Sequence, residues 1–314
     1  MTAPTPAARF EDDRVNWLLF LALGGIWGSS YLFIKLGVET LTPLTLVAAR
    51  LAFGAALLIG VVAASREPLP RDPKIYGHLV VLACVSIVLP FFLITRAEQS
   101  VDSALAAVLT STVPLFAIVI AALFLHDEPM TVNRLVGLAV GFIGVVLLVS
   151  RNIAAGRSDL AGEVALIGAS TSYGVGAVYA RRTVRGLRPM IPAVFQVGFA
   201  FLISAALAIA LEHPFDVRWT PVALGSVAWL GILGSGVAYL VNFRLLKEWG
   251  ATRTTLVAYL LPVVGIALGV LVRGETIGLQ VLAGTALIIG GIALVNSRFG
   301  ARRLFGRTPP AVDP

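Results

Sequence analysis

The sequence predicts an all-α, polytopic membrane protein whose ten transmembrane helices form two inverted five-helix repeats. Three observations predict it. The 314 residues are 58% hydrophobic and 13% charged, with a mean hydropathy of +0.91, which is more apolar surface than a soluble domain can hide. Apolar stretches of about 20 residues, the length that crosses roughly 30 Å of hydrocarbon, recur along the whole chain. Residues 104–151 and 252–298 read as copies of each other, pairing Pro114 with Pro262, Glu128 with Glu275, Gly137 with Gly284, Gly144 with Gly291, and Ser150-Arg151 with Ser297-Arg298.

Residues 1–14 place Glu11, Asp12 and Asp13 ahead of the first apolar run, unlike the cationic start of a cleavable signal peptide. They read as a cytoplasmic tail, and the apolar run at 15–37 as a retained first helix. The second run, 43–64, is followed by a polar stretch at 65–74, and the third covers 75–95. Cys84, the single cysteine, lies in that third run, so no internal disulfide is possible and a small core residue is the simpler reading. The fourth run, 103–125, carries Pro114, and the fifth, 132–150, carries Gly137 and Gly141. A polar connection at 151–160 then divides the chain into a first repeat, 15–151, and a second, 160–298. Each repeat holds an odd number of spans, so the second copy lies upside down relative to the first, the construction plan of secondary transporters. The second set of runs covers 161–181, 190–211, 221–243, 252–272 and 277–297, with a polar stretch at 212–220, and residues 299–314 form a second cytoplasmic tail.

The sequence pI near 10.1 would suggest nucleic acid in a soluble chain, but the basic residues sort by membrane side. With the N-terminus inside, Lys35, Arg96, Arg151, Arg157, Arg218 and Arg273 fall outside, Arg50 falls within a helix, and the other seventeen of the 24 Lys and Arg fall inside. That asymmetry obeys the positive-inside rule and predicts both termini in the cytoplasm, in an inner (cytoplasmic) membrane. Scattered among short loops, these charges form no nucleic-acid surface.

Fainter matches extend the duplication towards the start of each half. PLTLVAARLAF at 43–53 lies against PMIPAVFQVGF at 189–199, and Ser30-Tyr31 against Ser172-Tyr173. IWGSSYLFIKLG (26–37), PLTLVAAR (43–50) and the doubled pattern of helix proline, loop glutamate and glycine-rich last helix closely resemble the EamA-domain transporters of the drug/metabolite transporter superfamily. The similarity covers roughly residues 15–298. The resemblance implies a central cavity lined by helices 1, 3, 4, 6, 8 and 9, and export or exchange of small metabolites.

Several residues stand out as carriers of that activity. Pro114 and Pro262 are placed near the middles of predicted helices 4 and 9, where each ring removes a backbone hydrogen bond from the carbonyl of Thr110 or Ala258. Each is either a structural kink or, being placed twice, a hinge. Arg50 is the only basic residue well inside a span; it either attracts an anionic group such as a carboxylate or clamps helix carbonyls. Lys35, near the outer end of helix 1, is open to the same two readings. Ser235, Tyr239 and Asn242 share a face of helix 8, Thr255 and Tyr259 a face of helix 9 with Pro262, Ser103 and Thr110 a face of helix 4 with Pro114, and Ser172 and Tyr179 a face of helix 6. With Trp27, Ser30 and Ser111 they are the candidate cavity lining, rich in hydroxyl, amide and aromatic groups and poor in charge, which suits a zwitterionic or neutral metabolite. Interhelical hydrogen bonding is the alternative role for every one of them. Trp27, Phe91, Phe92 and Trp229 either wall the cavity or pack in the core.

Carboxylates are absent from the middles of the predicted spans: Glu98, Asp102, Glu128, Glu163 and Glu275 fall at ends or in loops. A buried proton relay has no candidate by position, which favours facilitated export or exchange. Glu128 and Glu275 read as helix-start residues facing the positive ends of helices 5 and 10. Gly24 with Gly28, Gly137 with Gly141, and Gly265 with Gly269 predict close helix approach. His78, His126 and His213 form no ligand cluster, and no GxSxG, HExxH or P-loop pattern occurs, so no metal, no cofactor and no enzymatic activity are expected. The expected partners are a small-molecule substrate, such as an amino acid or drug-like compound, and the lipid bilayer, with the protein a monomer or weak homodimer. The alternatives are an uptake permease, a membrane sensor or subunit, and an integral membrane enzyme.

Overall fold

The computed structural model describes residues 6–65, 69–125, 130–155, 160–184, 186–188, 190–296 and 303–305. Nearly all of them are helical. In chain order the helices are α1 (Pro6–Gly37), α2 (Pro43–Ser65), α3 (Pro73–Ala97), α4 (Ser103–Phe124), α5 (Val132–Ala155), α6 (Leu160–Thr183), α7 (Met190–Leu211), α8 (221–254), α9 (255–273) and α10 (Leu279–Asn296). Eight are long and apolar enough to cross a bilayer, through Arg14–Gly37 in α1 and Pro221–Asn242 in α8, while α10 is apolar but shorter. Helix α6 has the length, at 24 residues, but is less apolar, because Glu163, Arg181 and Arg182 occupy its end turns and Ser170, Thr171 and Ser172 its middle. The chain is a multi-pass membrane protein.

Local chemistry starts and stops these helices. α2, α3 and α8 open on proline, whose fixed φ suits a first turn and whose missing N–H has no intrahelical partner to lose. Asp72 caps α3 by accepting from Lys74 N at 2.9 Å, and Thr220 Oγ1 caps α8 by accepting from Ala223 N at 3.1 Å. α9 ends at Gly274, which takes the left-handed φ of 65° that only glycine adopts freely and returns its N–H to the Val270 carbonyl.

Four helices are irregular inside. α3 contains a π-helical stretch, Cys84–Val88, and α8 a longer one, Trp229–Val237. α4 breaks at Ser111 and Thr112, and α9 begins as a 3₁₀ helix, Thr255–Tyr259. One feature departs from an all-α fold. Met130–Thr131 (β1) pairs antiparallel with Arg303–Phe305 (β2), so part of the expected C-terminal tail is tied to the α4–α5 connection.

The packing is pairwise regular. α1 lies against α9 as α6 lies against α4; α2 lies against α8 as α7 lies against α3; and α2 meets α7, α4 meets α9 and α5 meets α10. Helices α5 and α10 approach backbone to backbone. A Cβ placed on Gly137 would stand 2.6 Å from the Gly291 carbonyl oxygen, and one on Gly144 2.8 Å from that of Gly284. The earlier residue of α5 therefore meets the later residue of α10, which makes the two helices antiparallel. Gly24 and Gly28 face Leu260 and Val264 of α9, Gly141 faces Leu115, and Gly265 faces Ala107, so all these glycines serve contacts within the chain. Leu46, Leu109, Leu115, Leu166 and Leu230 are fully buried in the main core, whereas Leu18, Leu123, Leu202, Leu211, Leu271 and Leu279 stand exposed as a lipid-facing surface does.

Candidate functional site

Arg50 forms the centre of the site. It is only 4% exposed, and it is held where α2 crosses the π-helical stretch of α8. Small residues make that crossing possible: a Cβ on Gly231 would stand 2.5 Å from the Arg50 carbonyl oxygen, and one on Gly54 2.8 Å from Ser235 Cβ. The π-helical turn carries an extra residue per turn and so re-aims Ser235 towards the arginine. Arg50 Nη2 donates to Ser235 Oγ at 3.3 Å, and the guanidinium carbon sits 4.1 Å above the Phe91 ring of α3. Its buried Nε has no hydrogen-bond partner among the described residues. Among the described residues the buried cation is thus held by one hydroxyl and one aromatic face and keeps a spare donor, the chemistry that an anion can meet.

The indole of Trp27 donates to the Gly234 carbonyl at 3.2 Å and meets Tyr239 edge-on at 6.5 Å. Trp229 donates to Ser29 Oγ at 3.1 Å and stacks on Phe33 at 4.7 Å. Thr110 donates to the Tyr31 hydroxyl, linking α4 to α1.

The structure therefore gathers Trp27, Arg50, Ser235 and Tyr239, with Ser30 beside Gly234 and Thr110 reached through Tyr31. Other candidates are engaged elsewhere. Ser111 Oγ returns to the Val108 carbonyl of its own helix at 2.6 Å, and Ser172 Oγ donates to Val85 O in the π-helical stretch of α3 at 2.6 Å. Tyr179 bonds His78 at 2.8 Å between α6 and α3. Asn242 is half-buried further along α8, and half-buried Tyr259 packs against the main core. The side chain of Thr255 lies outside the described residues. Pro114 and Pro262 do not sit at the middles of unbroken helices: each occupies the first turn of an α-helical segment, just after the break in α4 or the 3₁₀ turn of α9, where a missing N–H costs little. Ser29, Tyr31 and the cation–π role of Phe91 become visible only through their partners on other helices.

A second polar cluster closes the end where α1 and α3 stop and α2 and α4 start, the end predicted to be outer. Glu275 accepts from Ser103 N (3.0 Å), Ser103 Oγ (2.6 Å) and Ala104 N (2.9 Å). It thus caps α4 across the bundle and not α10, which corrects the sequence expectation; Glu128 lies outside the described residues. Arg273 pairs with Glu39 at 2.7 Å, Glu212 accepts from Thr45 N at 2.9 Å, and Lys35 Nζ donates to the carbonyls of Glu98 and Val101, each at 2.7 Å. Replacing Glu275 by Ala strips α4 of this cap and is expected to lower stability by about 1–2 kcal/mol, read as a lower melting temperature of the purified protein. A 250 Å³ crevice lies at the opposite end, away from Arg50, lined by Ala117, Ala121, Ala177 and Val178 with Arg134 and Arg181.

Comparison with known proteins gives consistent neighbours. A family model described as the EamA-like transporter family matches residues 15–150 and again 160–297. The inner membrane transporter YedA of Escherichia coli K12, named as uncharacterized, is 30% identical, with 92% of each chain covered. A probable amino-acid metabolite efflux pump of Salmonella typhimurium is 24% identical over 93% of this chain and 98% of its own. A protein of known crystal structure, 21% identical, shares the fold with a TM-score of 0.66 over 93% of this chain and 99% of that one.

Proposed function

Because the chain belongs to the EamA-like transporter family, we propose that it exports or exchanges a small carboxylate-bearing metabolite of the amino-acid type by alternating access around Arg50. The observation that carries this reading is the buried guanidinium, whose Nε has no partner among the described residues, at the meeting of a helix from each half of the chain. A carboxylate is the planar anion that the guanidinium fork fits, and Phe91, Trp27 and Tyr239 offer apolar faces to the rest of the solute. The name of the Salmonella relative points to the same substrate class.

The scaffold for this motion is ten helices in two inverted repeats, α1–α5 and α6–α10. Two features support it. The neighbour relations are preserved when each helix is exchanged for the one five places on. The glycines that match in sequence, Gly137 with Gly284 and Gly144 with Gly291, meet in crossed fashion, as a two-fold axis requires of equivalent residues. The paired irregularities of α3 with α8 and of α4 with α9 offer bending points for both halves, with Pro114 and Pro262 as the hinge residues. The asymmetry of basic residues supports an orientation with both termini in the cytoplasm, and YedA is named an inner membrane transporter.

The test is comparative. Bacteria expressing the protein are expected to accumulate a carboxylate-bearing solute in the medium relative to empty-vector cells, as read by mass spectrometry. Identical extracellular profiles would overturn export.

A further inference from the structure

Glu98 is the residue after α3, and its carboxyl is fully buried. Neither Oε1 nor Oε2 has a hydrogen-bond partner among the described residues. The lysine that approaches this turn does not serve the carboxyl, because Lys35 Nζ is spent on the main-chain carbonyls of Glu98 and Val101. A carboxylate without donors in a dry site is far less stable than one in water, and the ordinary response of such a group is to bind a proton. Sequence position alone hides this: Glu98 lies beyond the span, yet the closed end of the bundle seals it from water.

The groups around it are identifiable. α1 contributes Lys35 and, one turn earlier, Tyr31; α2 contributes Arg50; the α9–α10 connection contributes Glu275; and Asp102 follows four residues on in the α3–α4 turn. α6 brings Glu163 beside Gly162, where an added Cβ would stand 2.5 Å from Val101 Cγ2 and 3.3 Å from the Ala97 carbonyl. Burial pushes the Glu98 carboxyl well above the usual carboxylate range; Lys35 opposes that rise, Glu275 adds to it, and Arg50 opposes it again.

We infer that Glu98 is a proton-binding site of the outer end, protonated while that end is closed and deprotonated when it opens, so that each closure takes up one proton. On opening, the carboxyl O–H bond breaks, the proton passes to water, and the carboxylate remains beside the Lys35 ammonium. Closing reverses both changes. Because the closed form binds the proton more tightly than the open one, closure is favoured at low pH and weakens as pH rises through the raised value of Glu98. The site's use in transport rests on the alternating-access reading above, but its protonation does not.

The full-length protein in lipid nanodiscs is titrated with pH by infrared difference spectroscopy, which reads the C=O band of protonated carboxyls. One band is expected to persist well above the ordinary carboxylate range, to vanish in E98Q, and to survive in E39Q and E163Q. A band that survives in E98Q, or that is lost in E163Q alone, overturns the assignment. Should E98Q fail to fold, the wild type decides: deuterium uptake of residues 98–104, corrected for the intrinsic pH dependence of exchange, is expected to rise across the pH range in which the band disappears. Uptake that stays flat across that range overturns the link to opening. Absence of any exported solute would sink the transport reading while leaving the infrared result intact.

Discussion

Replacing Arg50 by Ala is expected to lower transport by roughly ten- to hundredfold, since a hydrogen bond to a charged group is worth about 1.5–3 kcal/mol and about 1.4 kcal/mol is tenfold. Among the described residues the guanidinium has one side-chain hydrogen bond, to Ser235, and one aromatic face, Phe91. Its Nε is unused among the described residues, which is the donor a carboxylate would take under the proposed reading. R50K keeps the charge but loses the planar fork and should fall between wild type and R50A. The measurement is initial rate per folded protein, in vesicles loaded with the solute found by extracellular profiling. A purely structural clamp predicts the opposite split: R50A would lose melting temperature while its rate per folded molecule stayed that of the wild type.

The largest stability effect is expected at Gly291. A Cβ there would stand 2.5 Å from Gly141 N, 2.6 Å from the Gly137 carbonyl oxygen and 2.7 Å from Gly141 Cα. All three are backbone atoms of α5, so no rotamer change relieves the clash and the two helices must part. Overpacking of this kind costs about 1–3 kcal/mol, and Gly291→Ala should reach the upper part of that range. At the adjacent Gly290 an added Cβ would meet nothing within 4 Å, and Gly290→Ala is expected to be neutral or slightly stabilising because alanine is the better helix former. Thermal unfolding of the two single variants in the same detergent checks the contrast. Equal melting temperatures would mean that α5 and α10 do not approach as described.

Much of the fold was legible because its signals are local. The lengths of the apolar runs marked the helices, and the glycine pairs marked where helices approach closely. What local reading missed follows from its assumption of a continuous helix. Pro114 and Pro262 look like mid-helix residues until the break at Ser111 and Thr112 and the 3₁₀ turn at Thr255–Tyr259 place them in first turns. The π-helical stretch Trp229–Val237 was equally invisible, although Gly231, Gly234 and Gly236 hint at an unusual backbone. The tail residues 303–305 form a strand because Met130 and Thr131 are there to pair with them.

The candidate site divides in the same way. Arg50 could be singled out from its depth in an apolar run, Ser235 and Tyr239 from their spacing, and Trp27 as a candidate aromatic wall. Ser172 and Tyr179 obey the same kind of spacing yet bond the Val85 carbonyl and His78, and Ser111, also a candidate, bonds the Val108 carbonyl of its own helix. The helical period tells which residues share a face but not what that face meets. Glu275 illustrates the same limit, since its partners Ser103 and Ala104 lie 171 or more residues away in the chain.

By itself the sequence determined the membrane helices, the duplication and the family, because hydrophobic transfer and chain repetition are properties of contiguous residues. Only the tertiary structure decided that Glu98 is dry, that Glu275 caps α4 and that Arg50 faces Ser235 and Phe91. Burial and hydrogen bonding depend on which distant helix comes to lie alongside, and no local pattern encodes that.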